Sequence, residues 1–156
     1  MGRMKISGAA LLLVGLLTPL TARAATYDEV IDGATCLAYP AYSSGAGIPY
    51  QHWLYGFSNT SYCHLTMNSD WTVNDLSYVL YTGLSNGSIT ARLCVHSFDL
   101  SVSCGPARVD GPSSYIVDWV APPSVPPSSP TGAYVQISFP AGKVSTVNQL
   151  IPVWVK

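Results

Sequence analysis

The stretch from Pro49 to His64 is where residues with chemical potential are most concentrated in this sequence. It holds five aromatic side chains, one cysteine and two of the protein's three histidines. Histidine can bind a metal or move a proton. Tyrosine and tryptophan offer a flat apolar face with a polar group, which suits stacking on sugar rings and protein contacts. The stretch therefore raises three hypotheses: catalysis, ligand binding, or a packed core.

The three histidines, His52, His64 and His96, are candidate metal ligands. No two of them are spaced i, i+2 on one predicted strand, and a metal site needs ligands that converge. Hydrogen bonding of each histidine to nearby backbone is therefore favoured, and the sequence predicts no metal and no cofactor.

A calcium site is a second metal hypothesis, because oxygen-bearing side chains surround Trp71. A complete ligand loop is missing, and turn chemistry explains the same residue types. The residues concerned are Asn68, Ser69, Asp70, Asn74 and Asp75.

Catalysis has little support in the residue pattern. A nucleophile, a base and an orienting acid must be in contact, and the sequence has serines and acids such as Asp70, Asp99 and Asp118 but no Gly-x-Ser-x-Gly segment. Glycoside hydrolysis needs paired carboxylates, and the one glutamate, Glu29, lies in an acidic N-terminal stretch. A small secreted hydrolase stays as an alternative that rests on the histidines alone.

The aromatic residues are more informative, with four tryptophans and ten tyrosines. Trp53 and Trp71 lie in polar, turn-rich segments, so both are expected to be exposed. The sequence thus predicts a ligand-binding patch formed by Tyr50, His52, Trp53, Tyr55 and Trp71.

The N-terminus has the organisation of a secretory signal peptide. Arg3 and Lys5 precede an apolar run of about 12 residues, which is too short to span a bilayer. A small-x-small pattern ends at Ala24. We expect the signal peptide, residues 1–24, to be removed by cleavage after Ala24 or Ala25. The mature protein is then expected to be secreted or periplasmic. The cleavage pattern is typical of bacterial export. No later segment is apolar enough for a membrane span.

The charge of the mature chain is low and negative. Three of the seven basic residues lie in the predicted signal peptide, which leaves four against eight acidic residues, a net charge of −4. The remaining cations are scattered, so the pattern does not predict nucleic-acid binding. A partner would instead be a polysaccharide or another surface protein.

The four cysteines predict two disulfide bonds, because their number is even and the compartment is oxidising. Pairs that are near in sequence close most easily, which favours Cys36–Cys63 and Cys94–Cys104 over the two other connectivities. One difficulty is that Cys94 has polar neighbours two residues away whereas Cys104 follows the apolar Leu100 and Val102. A zinc site is the alternative, but no Cys-x-x-Cys pair is present.

Alternation of apolar and polar residues predicts strands over 88–96, 133–139 and 147–155, and a high content of β-forming residues predicts one over 76–82. In 88–96 the apolar face is Ile89, Ala91, Leu93 and Val95. Weaker candidates cover 35–39, 51–57, 62–67, 100–103 and 115–120. About eight or nine short strands without helical periods predict an all-β fold, an antiparallel β-sandwich of jelly-roll or immunoglobulin-like type.

The predicted organisation is a signal peptide (1–24), a short acidic tail (25–33) and one β-sandwich domain (34–156). Asn86-Gly87 predicts a hairpin between the strands that flank it, and strands 50–57 and 62–67 are a second hairpin candidate. The segment 121–132 has five prolines and is predicted to be an internal crossing loop, because the two strands that follow it could not form a stable unit alone.

These features together predict a secreted, non-catalytic β-sandwich that acts as a binding or surface-interaction module through exposed aromatic residues. Carbohydrate binding is the first alternative. A structural subunit of an extracellular assembly is the second, since low charge and exposed strand edges would suit assembly.

Overall fold

The structure is a computed structural model that describes residues 26–28, 31–32, 36–39, 48–50, 53–56, 60–67, 69–84, 87–111, 117–141 and 145–156. Two antiparallel sheets pack face to face as a β-sandwich, and a small third sheet extends it. The predicted all-β class, the antiparallel sandwich and the two disulfides are confirmed. In the part of the chain that is described, no helix is long and apolar enough to cross a membrane.

Sheet A is built around the last strand of the chain. Its strands are β1 (Thr26–Asp28), β2 (Ile31–Asp32), β7 (Leu76–Thr82), β11 (Asp118–Val120) and β14 (Gln149–Val155). Their order is β1-β14-β7-β11, and β2 also pairs with β14. The stretch predicted as an acidic tail therefore supplies two strands, because β14 would otherwise present an unpaired edge.

Sheet B is built around the two longest strands. It contains β3 (Leu37–Tyr39), β6 (Thr60–His64), β8 (Ile89–Ser97), β9 (Val102–Cys104), β10 (Arg108–Asp110) and β12 (Pro130–Ser138). The order is β10-β8-β12-β6-β3, and β9 forms a hairpin with β8. The third sheet, sheet C, joins β4 (Ile48–Tyr50), β5 (Trp53–Gly56) and β13 (Ser145–Val147) in the order β13-β5-β4.

The core lies between sheets A and B, and in β8 and β12 the buried residues follow the predicted alternation. Sheet B contributes every second residue of β8 and β12, and sheet A contributes the matching positions of β7 and β14. In β14 the buried face is Leu150, Pro152 and Trp154, and Trp154 is fully buried. Since each buried aliphatic or aromatic side chain contributes about 1.5–3 kcal/mol, this shared interior holds the two sheets together.

Both hairpin predictions are wrong. β7 lies in sheet A and β8 in sheet B, so Gly87 belongs to a connection that crosses between the sheets. In the same way β5 pairs within sheet C while β6 pairs within sheet B. Turn residues favour a tight reversal but do not determine whether the next strand returns to the same sheet, which depends on which core face it covers.

The proline-rich segment connects the two layers. It leaves β11 in sheet A at residue 121 and enters β12 in sheet B at Pro130. Gly105 packs closely on this segment, because a Cβ at position 105 would lie 2.0 Å from the carbonyl oxygen of Ala121.

The cysteines form the two predicted bridges, Cys36–Cys63 and Cys94–Cys104, and none is left free for zinc. Cys94 and Cys104 face each other directly in the β8–β9 register. The sequence pattern places Cys94 among polar residues and Cys104 after apolar ones. The two cysteines can nevertheless share a face, because Leu100 and Val102 are exposed although they are apolar.

The β8–β9 hairpin ends in a hydrogen-bonded turn that exposes two apolar side chains. Phe98 is 91% and Leu100 is 88% exposed, and Leu100 has a φ of 67°. Asp99 accepts hydrogen bonds from the hydroxyl of Ser97 and from the backbone N–H of Ser101. Hydrogen bonds from these serines lower the pKa of Asp99 to about 2, so its carboxylate stays ionised and holds the turn.

Candidate functional site

The outer face of sheet B carries a group of polar and aromatic side chains. Alternation turns every second residue of β6, β8 and β12 away from the core, and the registers of these strands bring the outward residues into rows. Tyr134 is paired with both His64 and Cys94, and Gln136 is paired with both Tyr62 and Arg92. We call this surface the tyrosine face; its residues are Tyr62, His64, Arg92, His96, Tyr134 and Gln136.

Tyr134 lies at the centre of the tyrosine face and contacts three rings. Its ring centroid lies 5.6 Å from that of Tyr62 in an edge-to-face arrangement, 6.0 Å from that of His64 and 6.2 Å from that of His96. Such distances fall within the range of favourable aromatic pairs. The result is a continuous aromatic surface built from three strands.

The hydroxyl of Tyr134 stays protonated at physiological pH. Burial raises the pKa of this hydroxyl above its ordinary value of 10.0, the neighbouring Tyr62 raises it further, and Arg92 opposes the rise. A neutral phenol can both donate and accept a hydrogen bond, so this hydroxyl can bond either to an acceptor or to a donor of a polar ligand.

Arg92 and Gln136 form the polar half of the tyrosine face. Arg92 Nε donates to Gln136 Oε1 at 2.8 Å, which fixes the plane of the guanidinium. This bond uses one of the five N–H donors of arginine and leaves the two Nη groups and the Gln136 amide nitrogen able to donate. Because Arg92 is exposed, these donors face solvent.

Gly132 allows His96 to lie against the sheet. A Cβ at position 132 would be 2.5 Å from Nε2 and 2.8 Å from Cε1 of His96, closer than real contacts of this kind. The backbone carbonyl of His96 also accepts a hydrogen bond from the Thr131 hydroxyl at 3.3 Å. The imidazole lies beside Tyr134, and its plane is tilted by 31° from that of the tyrosine ring.

Three residues of the binding patch predicted from sequence belong to sheet C and not to the strands of the tyrosine face. Tyr50 belongs to β4, and Trp53 and Tyr55 belong to β5 in sheet C; the structure describes the backbone of these three but not their side chains, and His52 lies outside the described residues. Whether they bind a ligand stays a prediction.

Trp71 is half-buried and packs against the core. Lys156 Nζ lies 5.8 Å from the centroid of its ring, a cation–π contact. The nearby acid Asp75 accepts bonds from the backbone N–H of Thr72 at 2.7 Å and from its hydroxyl at 2.8 Å, which is turn chemistry. Within the described ranges, no group of histidine, cysteine and acidic residues could hold a metal ion.

A second cluster occupies one edge of the sandwich, where β10 of sheet B meets β11 of sheet A. Arg108 Nε lies 2.7 Å from Asp118 Oδ1 and 3.8 Å from Asp110 Oδ1, and the guanidinium carbon lies 5.4 Å from the centroid of Trp119. A cavity of about 120 Å³ opens beside them. Its lining residues are Pro106, Ala107, Arg108, Trp119, Val120 and Ala121.

The two carboxyl groups of this edge cluster have opposite pKa shifts. Burial, together with a hydrogen bond to Asp118 and its charge, raises the pKa of Asp110 to about 6. The pKa of Asp118 is lowered because hydrogen bonds from Trp119, Asp110 and Arg108 outweigh the effect of its burial. Asp110 Oδ2 is buried without a hydrogen-bond partner among the described groups, and burial of an unpaired oxygen disfavours the charged form of this carboxyl group. The cluster ties the sheet edges together.

Comparison with known proteins relates this chain to others by fold alone. No family model matches the chain, and no curated protein matches it. Among solved structures, a mutant of a carbohydrate binding module family 29 superimposes with a TM-score of 0.52, over 83% of this chain and 92% of the other. At 10% sequence identity, this likeness shows that the two proteins share a β-sandwich fold.

Proposed function

We propose that this protein is a non-catalytic carbohydrate-binding module that holds a polysaccharide against the tyrosine face. The observation that carries the proposal is the position of Tyr134, which contacts the rings of Tyr62, His64 and His96 on an outward sheet surface. The Arg92–Gln136 pair lies in the next row of the same face. Aromatic rings beside oriented hydrogen-bond donors are a combination that suits the binding of sugar rings.

The sheet provides a platform that needs little rearrangement. The rings and the polar pair come from β6, β8 and β12, whose backbones are joined by antiparallel pairing on both sides of β12. Side chains on paired strands lose less conformational freedom on binding than side chains on loops, and this lowers the cost of association. The fold of the structurally similar module supports the proposal but does not supply the residues, since function depends on the site.

Binding without catalysis is part of this proposal. Hydrolysis of a glycosidic bond usually requires two carboxyl groups on either side of the bond. The pair of described carboxyl groups that are in contact, Asp110 and Asp118, is held by Arg108 at the edge of the sandwich and not on the tyrosine face. The two disulfides are compatible with a secreted protein. Residues 1–25 lie outside the described residues, so the signal peptide and its cleavage site stay predictions.

Electrophoresis through gels that contain soluble polysaccharides tests the proposal. We expect at least one polymer to slow the wild-type protein, and Tyr134→Ala to weaken that binding by about tenfold or more, since tenfold corresponds to about 1.4 kcal/mol. Tyr78→Ala is the matched control, because Tyr78 is 36% exposed in β7 of sheet A. If no polymer in a broad panel slows the wild type, or if the two variants weaken binding equally, the proposal is wrong.

A further inference from the structure

We infer that the polysaccharide held by the tyrosine face carries negative charge, as carboxylate or sulfate groups. This inference rests on the proposed function and adds the chemical class of the ligand. The ionisable cationic or basic groups there are Arg92, His64 and His96, of which Arg92 and His64 are exposed.

The acidic residues in the described segments belong to elements other than the strands that form this face. Seven of the eight fall in described segments, and all seven belong to sheet A, to loops or to the sandwich edge. Asp28 and Asp32 are in β1 and β2 of sheet A, Asp70 and Asp75 lie between β6 and β7, and Asp99 is at the β8–β9 tip. Asp110 and Asp118 complete the set at the edge, where they form ion pairs with Arg108.

The charge of the tyrosine face is therefore opposite to that of the whole chain. The protein has a formal net charge of −1, yet the described part of this face presents a cation and two imidazoles without a carboxylate. Such a separation raises the local concentration of anions at one surface. A neutral glycan would gain nothing from it.

Arg92 has the geometry to bind an anionic group. Its bond to Gln136 through Nε orients the guanidinium and leaves both Nη groups, whose planar arrangement matches the two oxygens of a carboxylate or sulfate. By contrast, Arg108 is bonded to Asp118, and Lys156 lies over Trp71. Among the cations in the described segments, Arg92 is thus the one set within the aromatic surface.

The distance between Arg92 and the rings suits a single bound chain. Gln136, which faces Arg92, is two residues from Tyr134 along β12, so the two rows are about 7 Å apart. A sugar ring packed on Tyr134 would bring its own substituent, or that of the next ring, to the guanidinium. Charge would thereby select among polymers that share the same ring.

The test compares polymers that share a backbone and differ in whether they carry charged groups. Polygalacturonate is paired with its fully methyl-esterified form, and dextran sulfate with dextran, in the same gel assay. We expect the wild type to bind at least one charged polymer about tenfold or more tightly than its neutral partner. Retention by polygalacturonate alone assigns carboxylate as the ligand group, retention by dextran sulfate alone assigns sulfate, and both support the inference.

Two variants separate the contribution of Arg92 to binding from a general effect of the protein's net charge. Arg92→Gln should weaken binding to the charged polymer by about tenfold. Lys156→Gln removes the same charge away from the face and should change binding by less than about twofold. Thermal unfolding of both variants checks that each is folded. The affinity of Arg92→Lys for the charged polymer should lie between those of the wild type and Arg92→Gln, because lysine keeps the charge but lacks the planar guanidinium.

The outcomes distinguish this inference from the proposed function. Equal binding to each charged polymer and its neutral partner, with loss in Tyr134→Ala, would leave carbohydrate binding in place and overturn the inference. Unchanged affinity of Arg92→Gln for the charged polymers would also overturn it. Absence of binding to any polymer would overturn both.

Discussion

Tyr62 and Tyr134 meet edge to face on the outside of sheet B, with their ring centroids 5.6 Å apart and their planes at 65°. They belong to adjacent strands, β6 and β12, at positions two residues apart in the register. This diagonal contact is within the reach of aromatic side chains on paired strands. It stabilises the sheet and forms the surface proposed to bind the ligand.

A double-mutant cycle should detect this contact. We expect Tyr62→Ala and Tyr134→Ala to be coupled by about 0.5–1.5 kcal/mol in the free energy of unfolding, because each ring loses the other as an edge-to-face partner. Urea denaturation of the wild type, the two single variants and the double variant measures it. Strict additivity of the two single effects would show that the rings do not stabilise each other.

Gly132→Ala should affect binding more than stability. The new Cβ would displace the His96 imidazole, which it would approach within 2.5 Å of Nε2, and this ring can rotate into solvent. We therefore expect a change of less than about 1 kcal/mol in unfolding free energy, since alanine is also the better strand residue. Polysaccharide affinity should fall because His96 leaves Tyr134. A loss of several kcal/mol, or unchanged affinity, would contradict this account.

Asp110→Asn should change how stability depends on pH. The pKa of Asp110 is raised to about 6 in the folded protein, so its contribution to stability is complete below about pH 4 and is lost as the pH rises through about 6. Asparagine stays neutral, so the unfolding free energy of the variant relative to the wild type should increase by about 1–2 kcal/mol between pH 5 and pH 8.

The control for this experiment is Asp70→Asn, because Asp70 is exposed. Urea denaturation of the three proteins at several pH values provides the comparison. Asp118 should not contribute to the change between pH 5 and pH 8. Its pKa is lowered, so its contribution to the free energy of unfolding is present above about pH 4 and is lost only at more acidic pH. Parallel pH profiles for the wild type and Asp110→Asn would contradict the raised pKa.

The two disulfides should contribute unequally to stability. Their sequence separations are 27 residues for Cys36–Cys63 and 10 residues for Cys94–Cys104. The entropy lost by the unfolded chain then corresponds to about 3.5 and about 2.7 kcal/mol. Replacing both cysteines of one bridge by alanine and measuring denaturant unfolding gives each contribution. A larger loss from removal of the Cys94–Cys104 bridge would contradict the loop-length argument.

Leu100→Asn should stabilise the protein slightly. Leu100 has a φ of 67°, a conformation that asparagine tolerates better than leucine. Because the leucine side chain is 88% exposed, little apolar burial is lost. We expect a gain of about 0.5–1 kcal/mol in unfolding free energy, and Val102→Asn, on the same hairpin at ordinary strand geometry, should show no such gain. A loss of stability in Leu100→Asn would show that the leucine makes a contact that favours folding.

Much of the tyrosine face was accessible from local sequence pattern. Alternation in 88–96 and 133–139 separates the buried residues from Arg92, His96, Tyr134 and Gln136, and the structure confirms that separation. The pattern could not show that His64, from a third strand, is paired with Tyr134. Register between strands distant in sequence depends on how the core packs, and no local signal encodes it.

The errors have a similar physical origin. Asn86-Gly87 predicted a hairpin, but the choice between returning to sheet A and crossing to sheet B depends on long-range burial. Trp71 was expected to be exposed because its neighbours in sequence are polar, yet it packs against the core and lies beside Lys156. Local composition reports the solvent exposure of a segment and not the position of one large side chain within it.

The pairing of Thr26 with Val155 has a practical consequence for how the protein can be attached to a surface. Both ends of the described fold lie side by side in sheet A, whereas the tyrosine face is on the outside of sheet B. A tether at either end would hold the domain by the layer opposite to that face and leave the face turned outward. For immobilised assays or display, an N-terminal and a C-terminal attachment should therefore be interchangeable.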